Sequence, residues 1–232
     1  MRREKRQMRV DENKTKILIV EDHPIVQKGL LQLINEESDL FICGQAEDGP
    51  EAMGLIKSLE PDLVTVDLFL KKSNGLDLIK DIKQQFPSLP ILVLSMHEES
   101  LYAERALRAG ARGYIMKAEA IKNLIGAIRK VLKGQIYVSE KISAIMIDKL
   151  TVGKAKFGAS PADCLSDREL EVFLLIGKGY GTSQIAKKLC LSVKTIETYR
   201  SHIKEKLNIS NAAGLLRYAI PWVNTQKTGL SE

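Results

Sequence analysis

Short apolar, β-branched runs alternate in the first part of the chain with stretches whose apolar positions recur at helical spacing. KILIV, FICGQA, LVTVD, ILVLS and GYIMK read as buried strands. A helix is predicted from Pro24, with Ile25, Leu30, Leu31 and Ile34 on one face, and further helices over 49–59, 75–85, 98–109 and 120–133. Five such β-α units predict an α/β domain with a doubly wound, parallel, five-stranded sheet and helices on both faces. This rhythm stops after about residue 138. Residues 139–163 gather Lys, Gly, Ser and Pro and read as a short helix followed by an exposed linker. From there strands vanish and a small all-α domain is predicted. Ser166 and Glu169 have the spacing of a capping box, with Leu165 and Leu170 placed as its hydrophobic staple. Thr182 is expected to cap SQIAKKLC, and Ser192 to cap SVKTIETYRSHIKEKLN. In the latter Val193, Ile196, Tyr199 or Arg200, Ile203 and Leu207 recur at helical spacing. Two short helices joined by a tight turn, the second polar and basic outside, describe a helix-turn-helix. A last helix covers NAAGLLRYAIPW. The predicted organisation is a tail over 1–14, an α/β domain over 15–135, a linker over 136–163, the helical domain over 164–225 and a tail over 226–232.

The strand ends carry the chemistry. Glu21 and Asp22 follow the first strand, Asp67 ends the third, Ser95 the fourth and Lys117 the fifth. In an open parallel sheet the carboxyl ends of the strands face one crevice, so these residues converge although they lie far apart in sequence. Carboxylates brought together repel one another, which raises their pKa or recruits a cation. A lysine and a hydroxyl beside them suit a phosphoryl group. Taken singly, Asp67 reads as a turn residue, Ser95 as a helix cap, Lys117 as a solvated charge and Tyr114 as a packed aromatic.

Charge sharpens the division. Residues 17–138 hold fourteen Lys and Arg against seventeen acids, whereas 164–232 hold ten against six. The acidic first module and basic last module suggest that the last one meets a polyanion. No apolar run approaches membrane length, and MRREKRQMRVDENK lacks the apolar stretch of a secretory signal. Cys43, Cys164 and Cys190 have no CxxC spacing and read as free cytosolic thiols. The scattered His23, His97 and His202 give little support to a zinc site.

VEDHPIVQKGL, VDLFLKKSNGLD, ALRAGARGYIMK and LSDRELEVFLLIGKGYGTSQIAKKLCLSVKTIETYRSHIKEKL together resemble a two-component response regulator of the NarL/FixJ type. The receiver resemblance covers roughly 15–135 and the LuxR-type helix-turn-helix resemblance roughly 164–223. It implies a flavodoxin-like receiver in which Asp67 accepts a phosphoryl group from a sensor histidine kinase. Mg²⁺ would be held by Glu21, Asp22, Asp67 and the backbone carbonyl of Phe69. Lys117 would pair with the phosphoryl oxygens, Ser95 would move to hydrogen-bond them, and Tyr114 would rotate inward as the switch aromatic. In the helical domain it implies base contacts from Glu197, Thr198 and Ser201, and phosphate contacts from Thr182, Ser192, Lys194, Tyr199 and Lys206. Leu215, Leu216 and Ala219 would form a dimer surface, whose plainer reading is domain core. The implied protein is cytoplasmic, makes no membrane contact, has no enzymatic role beyond turnover of its own phosphoryl group, and dimerises on paired DNA half-sites.

The chain departs from the pattern in two places. Leu70 and Lys71 stand where many receivers have Met-Pro, and Lys71 and Lys72 add positive charge close to the site. Ala118 follows Lys117 where proline is common, so a cis bond there would cost about 3 kcal/mol. Two other functions stay open at this point. One is a constitutive DNA-binding regulator whose receiver serves protein contacts. The other is an aspartyl-phosphate phosphatase of haloacid-dehalogenase type, against which Phe69 stands where a second aspartate would be needed.

Overall fold

In the computed structural model residues 14–152 and 160–228 are described; all but the last residue of the predicted tail over 1–14, the segment 153–159 and residues 229–232 lie outside them. The chain divides into two units between Ala144 and Ile145.

The first unit is built on five parallel strands, β1 (Thr15–Val20), β2 (Leu40–Ala46), β3 (Leu63–Val66), β4 (Ile91–Ser95) and β5 (Gly113–Met116), in the order β2-β1-β3-β4-β5. The crossovers are α1 (Pro24–Asn35), α2 (Gly49–Leu59), α3 (Gly75–Gln85) and α4 (Glu99–Ala109), with α5 (Ala120–Leu132) closing the domain. β1, β3 and β4 are apolar and buried almost throughout because helices cover both faces of the sheet. Ile17, Ile19, Leu63, Leu92 and Leu94 meet Ile34 from α1 and Leu124, Ile128 and Val131 from α5 in one core cluster. Ile25 departs from its expected place and is 84% exposed, while Leu30 and Ile34 are buried. The reason is helical phase: nine residues at 3.6 per turn put Ile25 about 180° from Ile34. Val26 and Leu33 fill the face instead.

Turn chemistry sets where each helix begins. Pro24 opens α1, the Asp48 side chain accepts from Glu51 N–H at the start of α2, and the Asn74 side chain accepts from Leu76 and Asp77 N–H at the start of α3. Gly75 allows the last of these to lie against the end of β3. A Cβ there would sit 2.2 Å from the Asp67 carbonyl oxygen.

The edge beside β5 holds a pairing absent from the strand pattern. Tyr114 N–H donates to the Tyr137 carbonyl at 2.8 Å, and Tyr137 N–H donates to the Arg112 carbonyl at 2.9 Å, forming a parallel bridge between Gly113 and Tyr137. Ser139 N–H then donates to Glu99 Oε1 at 2.8 Å, and its hydroxyl accepts from Ile142 N–H at the start of α6 (Glu140–Val152).

The second unit contains α7 (Pro161–Cys164), α8 (Asp167–Gly177), α9 (Thr182–Leu189), α10 (Val193–Lys206) and α11 (Ala212–Thr228). The capping box forms: Ser166 Oγ accepts from Glu169 N–H, and Glu169 Oε2 accepts from Ser166 N–H at 2.7 Å. Leu165 and Leu170 are both buried beside it. Gly181, not Thr182, caps α9, and its N–H is taken by Gln184 Oε1 at 2.9 Å. Thr182 is the first helical residue. Ser192 caps α10 as expected, accepting from Thr195 N–H at 3.0 Å. The turn between α9 and α10 passes through Cys190, which is left-handed at φ 54°.

α11 runs past the predicted end and through Pro221 to Thr228. Proline has no N–H for the carbonyl four residues back, but Arg217 and Pro221 are both exposed, where water can serve. Leu215 and Ala219 are fully buried, which corrects the expectation that they form a surface. They and Val223 form the stripe of α11 that faces α8, where Gly177 lies so close that a Cβ would meet Val223 Cγ2 at 2.4 Å. Leu216, Tyr218 and Ile220 are the large apolar side chains that α11 leaves exposed.

Candidate functional site

Sheet register brings the predicted pocket together. Asp67 N–H donates to the Val20 carbonyl at 2.9 Å, which places the residue after β3 beside the acidic pair after β1. Glu21, Asp22 and Asp67 are 1%, 5% and 3% exposed, so all three carboxylates are withdrawn from water. Lys117 reaches in from the end of β5, its Nζ 2.7 Å from Asp67 Oδ2 and also paired with Glu21 Oε2. Its side chain is only 6% exposed. Among the described residues no peptide bond is cis, and Lys117 reaches Asp67 with the Lys117–Ala118 bond trans.

Burial raises the Asp67 pKa above the ordinary carboxylate range, the nearby Lys117 ammonium opposes this, and Glu21 adds to the rise. Asp67 thus sits where its negative charge is costly unless a cation joins it. Glu21 Oε2 and Asp22 Oδ1 are buried without a hydrogen bond of good geometry, though Lys117 and His23 respectively stand close. Ligand atoms of Glu21, Asp22, His23 and Asp67 all lie within 4.8 Å of one another. Three hard carboxylate oxygens, two of them short of donors, fit a Mg²⁺ ion.

Ser95 and Tyr114 sit on the neighbouring strands, both buried. Ser95 Oγ accepts from His97 N–H at 3.2 Å, and the Tyr114 hydroxyl donates to the His97 carbonyl at 2.9 Å. Tyr114 already points inward here. Burial, opposed by its hydrogen bond to Ser95, pushes the Tyr114 hydroxyl far above its usual pKa, so it stays a donor. Phe69 stacks on the His97 ring at 3.7 Å between centroids, and both meet Tyr102 edge-on. Phe69 N–H also faces Asp67 Oδ1 at 3.3 Å.

Two neighbours of the pocket make contacts that the sequence does not predict. His23 Nδ1 lies 2.8 Å from Asp22 Oδ1 and 3.0 Å from Glu21 Oε1. Its position directly after the acidic pair was the only signal in the sequence. Lys71, noted for its charge alone, binds Asp22 through its backbone N–H at 2.7 Å.

In the helical unit, Lys194, Glu197, Thr198 and Ser201 are exposed along α10, whereas Thr182 and Tyr199 are half-buried. Glu197 and Ser201 also line a shallow groove whose other wall includes Ala212 and Leu215 of α11. The Thr198 hydroxyl donates within the helix to the Lys194 carbonyl at 3.1 Å. The Ser192 hydroxyl is engaged by Thr195. Lys206 is committed elsewhere than expected: its Nζ is 2.7 Å from Oε2 of Glu169, itself 4% exposed, with His202 Nδ1 3.7 Å from Oε1. Burial raises the Glu169 pKa, but the Lys206 ammonium and the Ser166 N–H and hydroxyl outweigh it and leave the carboxyl below its ordinary range. The pair joins Ile196 and Ile203, both fully buried, in holding the helix that carries Glu197, Thr198 and Ser201.

Known proteins share both units. Residues 17–129 match the response regulator receiver domain, and residues 163–219 match the luxR family of bacterial regulatory proteins. The oxygen regulatory protein NreC of Staphylococcus carnosus is 36% identical over 209 residues, which is 88% of this chain and 96% of that protein. The structure of RcsB from Salmonella enterica serovar Typhimurium bound to promoter rprA with phosphomimetic BeF3- superposes with a TM-score of 0.61. Its sequence is 29% identical, and the match covers 89% of this chain and 98% of that one. A LuxR-family two-component response regulator from Aurantimonas gives a TM-score of 0.55 at 32% identity, covering 59% of this chain and 98% of that one. With an acidic pocket at the strand ends of one unit and an exposed polar helix on the helix-turn-helix of the other, the chain belongs to the response regulators that join a receiver domain to a LuxR-type DNA-binding domain and regulate transcription.

Proposed function

We propose that Asp67 is the phosphoryl acceptor of this regulator, and that its phosphorylation by a sensor histidine kinase promotes dimerisation and binding to paired DNA half-sites. The observation that carries the reading is the Lys117 ammonium 2.7 Å from Asp67 Oδ2 in a pocket walled by Glu21 and Asp22. An Asp67 carboxylate oxygen forms the bond to phosphorus as the phosphorus–nitrogen bond of the donor phosphohistidine breaks. Lys117 pairs with the phosphoryl oxygens as they arrive. Bound Mg²⁺, held by Glu21, Asp22, Asp67 and the Phe69 carbonyl, would neutralise the oxygens crowded around the transferred group. Ser95, now holding His97 N–H, turns to the phosphoryl group, and the Tyr114–His97 contact moves with it.

On the DNA side, Glu197, Thr198 and Ser201 reach base edges from the exposed face of α10, with Lys194 on a phosphate. Thr182, Ser192 and Tyr199 border the phosphates, and Lys206 contributes by holding the helix through Glu169. The dimer contact falls to the exposed face of α11, where Leu216 and Ile220 are one turn apart. Among the described residues no helix is long and apolar enough to cross a membrane. As a DNA-binding regulator the protein acts in the cytoplasm.

The test is selection of oligonucleotides by wild type and Asp67→Ala, with and without Mg²⁺ and a phosphoryl donor. Tighter specific binding by donor-treated wild type alone is the expected result. Equal binding by both proteins in all conditions would make the protein a constitutive regulator.

A further inference from the structure

The loop between β3 and α3 is pinned by a bridge between Phe69 and Asn74, and this holds Lys71 against Asp22. Three contacts join the two residues. Lys71 N–H donates to Asp22 Oδ2 at 2.7 Å, Lys71 Nζ donates to the Asp22 carbonyl at 3.1 Å, and the same Nζ lies 3.8 Å from Asp22 Oδ2. Proline, common at this position in receivers, could make none of them, having neither an N–H nor a charge. Asp22 therefore has one oxygen already engaged, while its other, Oδ1, is buried without a good hydrogen bond, with His23 Nδ1 2.8 Å away. The neighbouring Lys72 turns elsewhere, its Nζ 3.8 Å from Asp48 Oδ2.

We propose that Lys71 is a resident counter-cation of the acidic pocket, which holds Asp22 by backbone and ammonium together and competes with the divalent ion, so that it sets the Mg²⁺ affinity of the site. The inference rests on the pocket being a Mg²⁺ site. A unit positive charge beside a metal-ligating carboxylate opposes a dication, and the effect is moderated because the Lys71 side chain is 67% exposed and water screens it. The backbone N–H works in a different way: it fixes the carboxylate's direction whatever the side chain. Charge and orientation are thus separable by substitution.

Mg²⁺ titration of the full-length protein by calorimetry tests this directly, with no phosphoryl transfer needed. Lys71→Met removes the charge and keeps the N–H, and is expected to bind Mg²⁺ about threefold to tenfold more tightly. Lys71→Arg restores the wild-type affinity. Lys72→Met, which removes the same charge one residue further on, stays within about twofold of wild type. Unchanged or weakened binding by Lys71→Met overturns the proposal, as does equal tightening by Lys72→Met. The underlying site is checked in the same series by Asp67→Asn. If wild type shows no saturable Mg²⁺ binding, or Asp67→Asn binds as wild type does, the metal site itself fails and the competition falls with it. If wild type binds and Asp67→Asn weakens it while Lys71→Met matches wild type, only the role of Lys71 is lost.

Discussion

Asp67 is held where an unassisted carboxylate is unwelcome. It is 3% exposed, and Glu21 stands beside it as a like charge. Lys117 offsets part of this, yet the carboxyl stays above its ordinary pKa. Replacing Asp67 by Asn should therefore raise the thermal stability of the metal-free protein at neutral pH, and Mg²⁺ should stabilise wild type but not the variant. Scanning calorimetry with and without Mg²⁺ checks both; a variant that melts below metal-free wild type would contradict the first. At this scale the pocket was readable because each residue sits at the end of an apolar run, and the strand pattern alone dictates where such residues go. His23 and Lys71 were not readable as neighbours of Asp22. Their contacts depend on the path of two loops, which no periodicity encodes.

At the scale of elements, periodicity gave the helices and strands, and its failures have specific causes. Ile25 reads as inward because it is apolar, although its phase opposes Ile34. Leu215 and Ala219 look like partner-binding residues only until α8 is packed against them. Lys206, expected on a DNA phosphate, pairs with Glu169, 37 residues away in sequence. That pair governs how α10 is presented, and Glu169→Gln should cost about 1–2 kcal/mol at neutral pH, since Lys206 is 43% exposed and part of the gain is screened. The sign with pH follows from the lowered pKa. The folded protein releases a proton that the unfolded chain keeps, so the stabilisation is complete above the ordinary glutamate range and is lost as pH falls through the lower folded-state value. Urea unfolding at neutral and strongly acidic pH should show the variant's deficit only at the former. Weaker DNA binding should accompany it if α10 depends on this anchor.

For the whole molecule, the acidic receiver and the basic helical unit were separable from charge and from the disappearance of strands. The stretch joining them was harder to interpret. Ile136, Tyr137 and Val138 are too few to stand out as a strand, and only the exposed edge of β5 gives Tyr137 its partners. An uncovered edge strand is a template for pairing with another chain, and short straps of this kind prevent it. The bridge at Gly113 and Tyr137 is thus also a guard against self-association. A receiver fragment cut after Gln135 should leave the β5 backbone unpaired and precipitate or oligomerise on storage, where one cut after Ala144 stays monodisperse by light scattering. Solubility of the receiver should therefore depend on Tyr137, a residue that belongs, by sequence, to the connection.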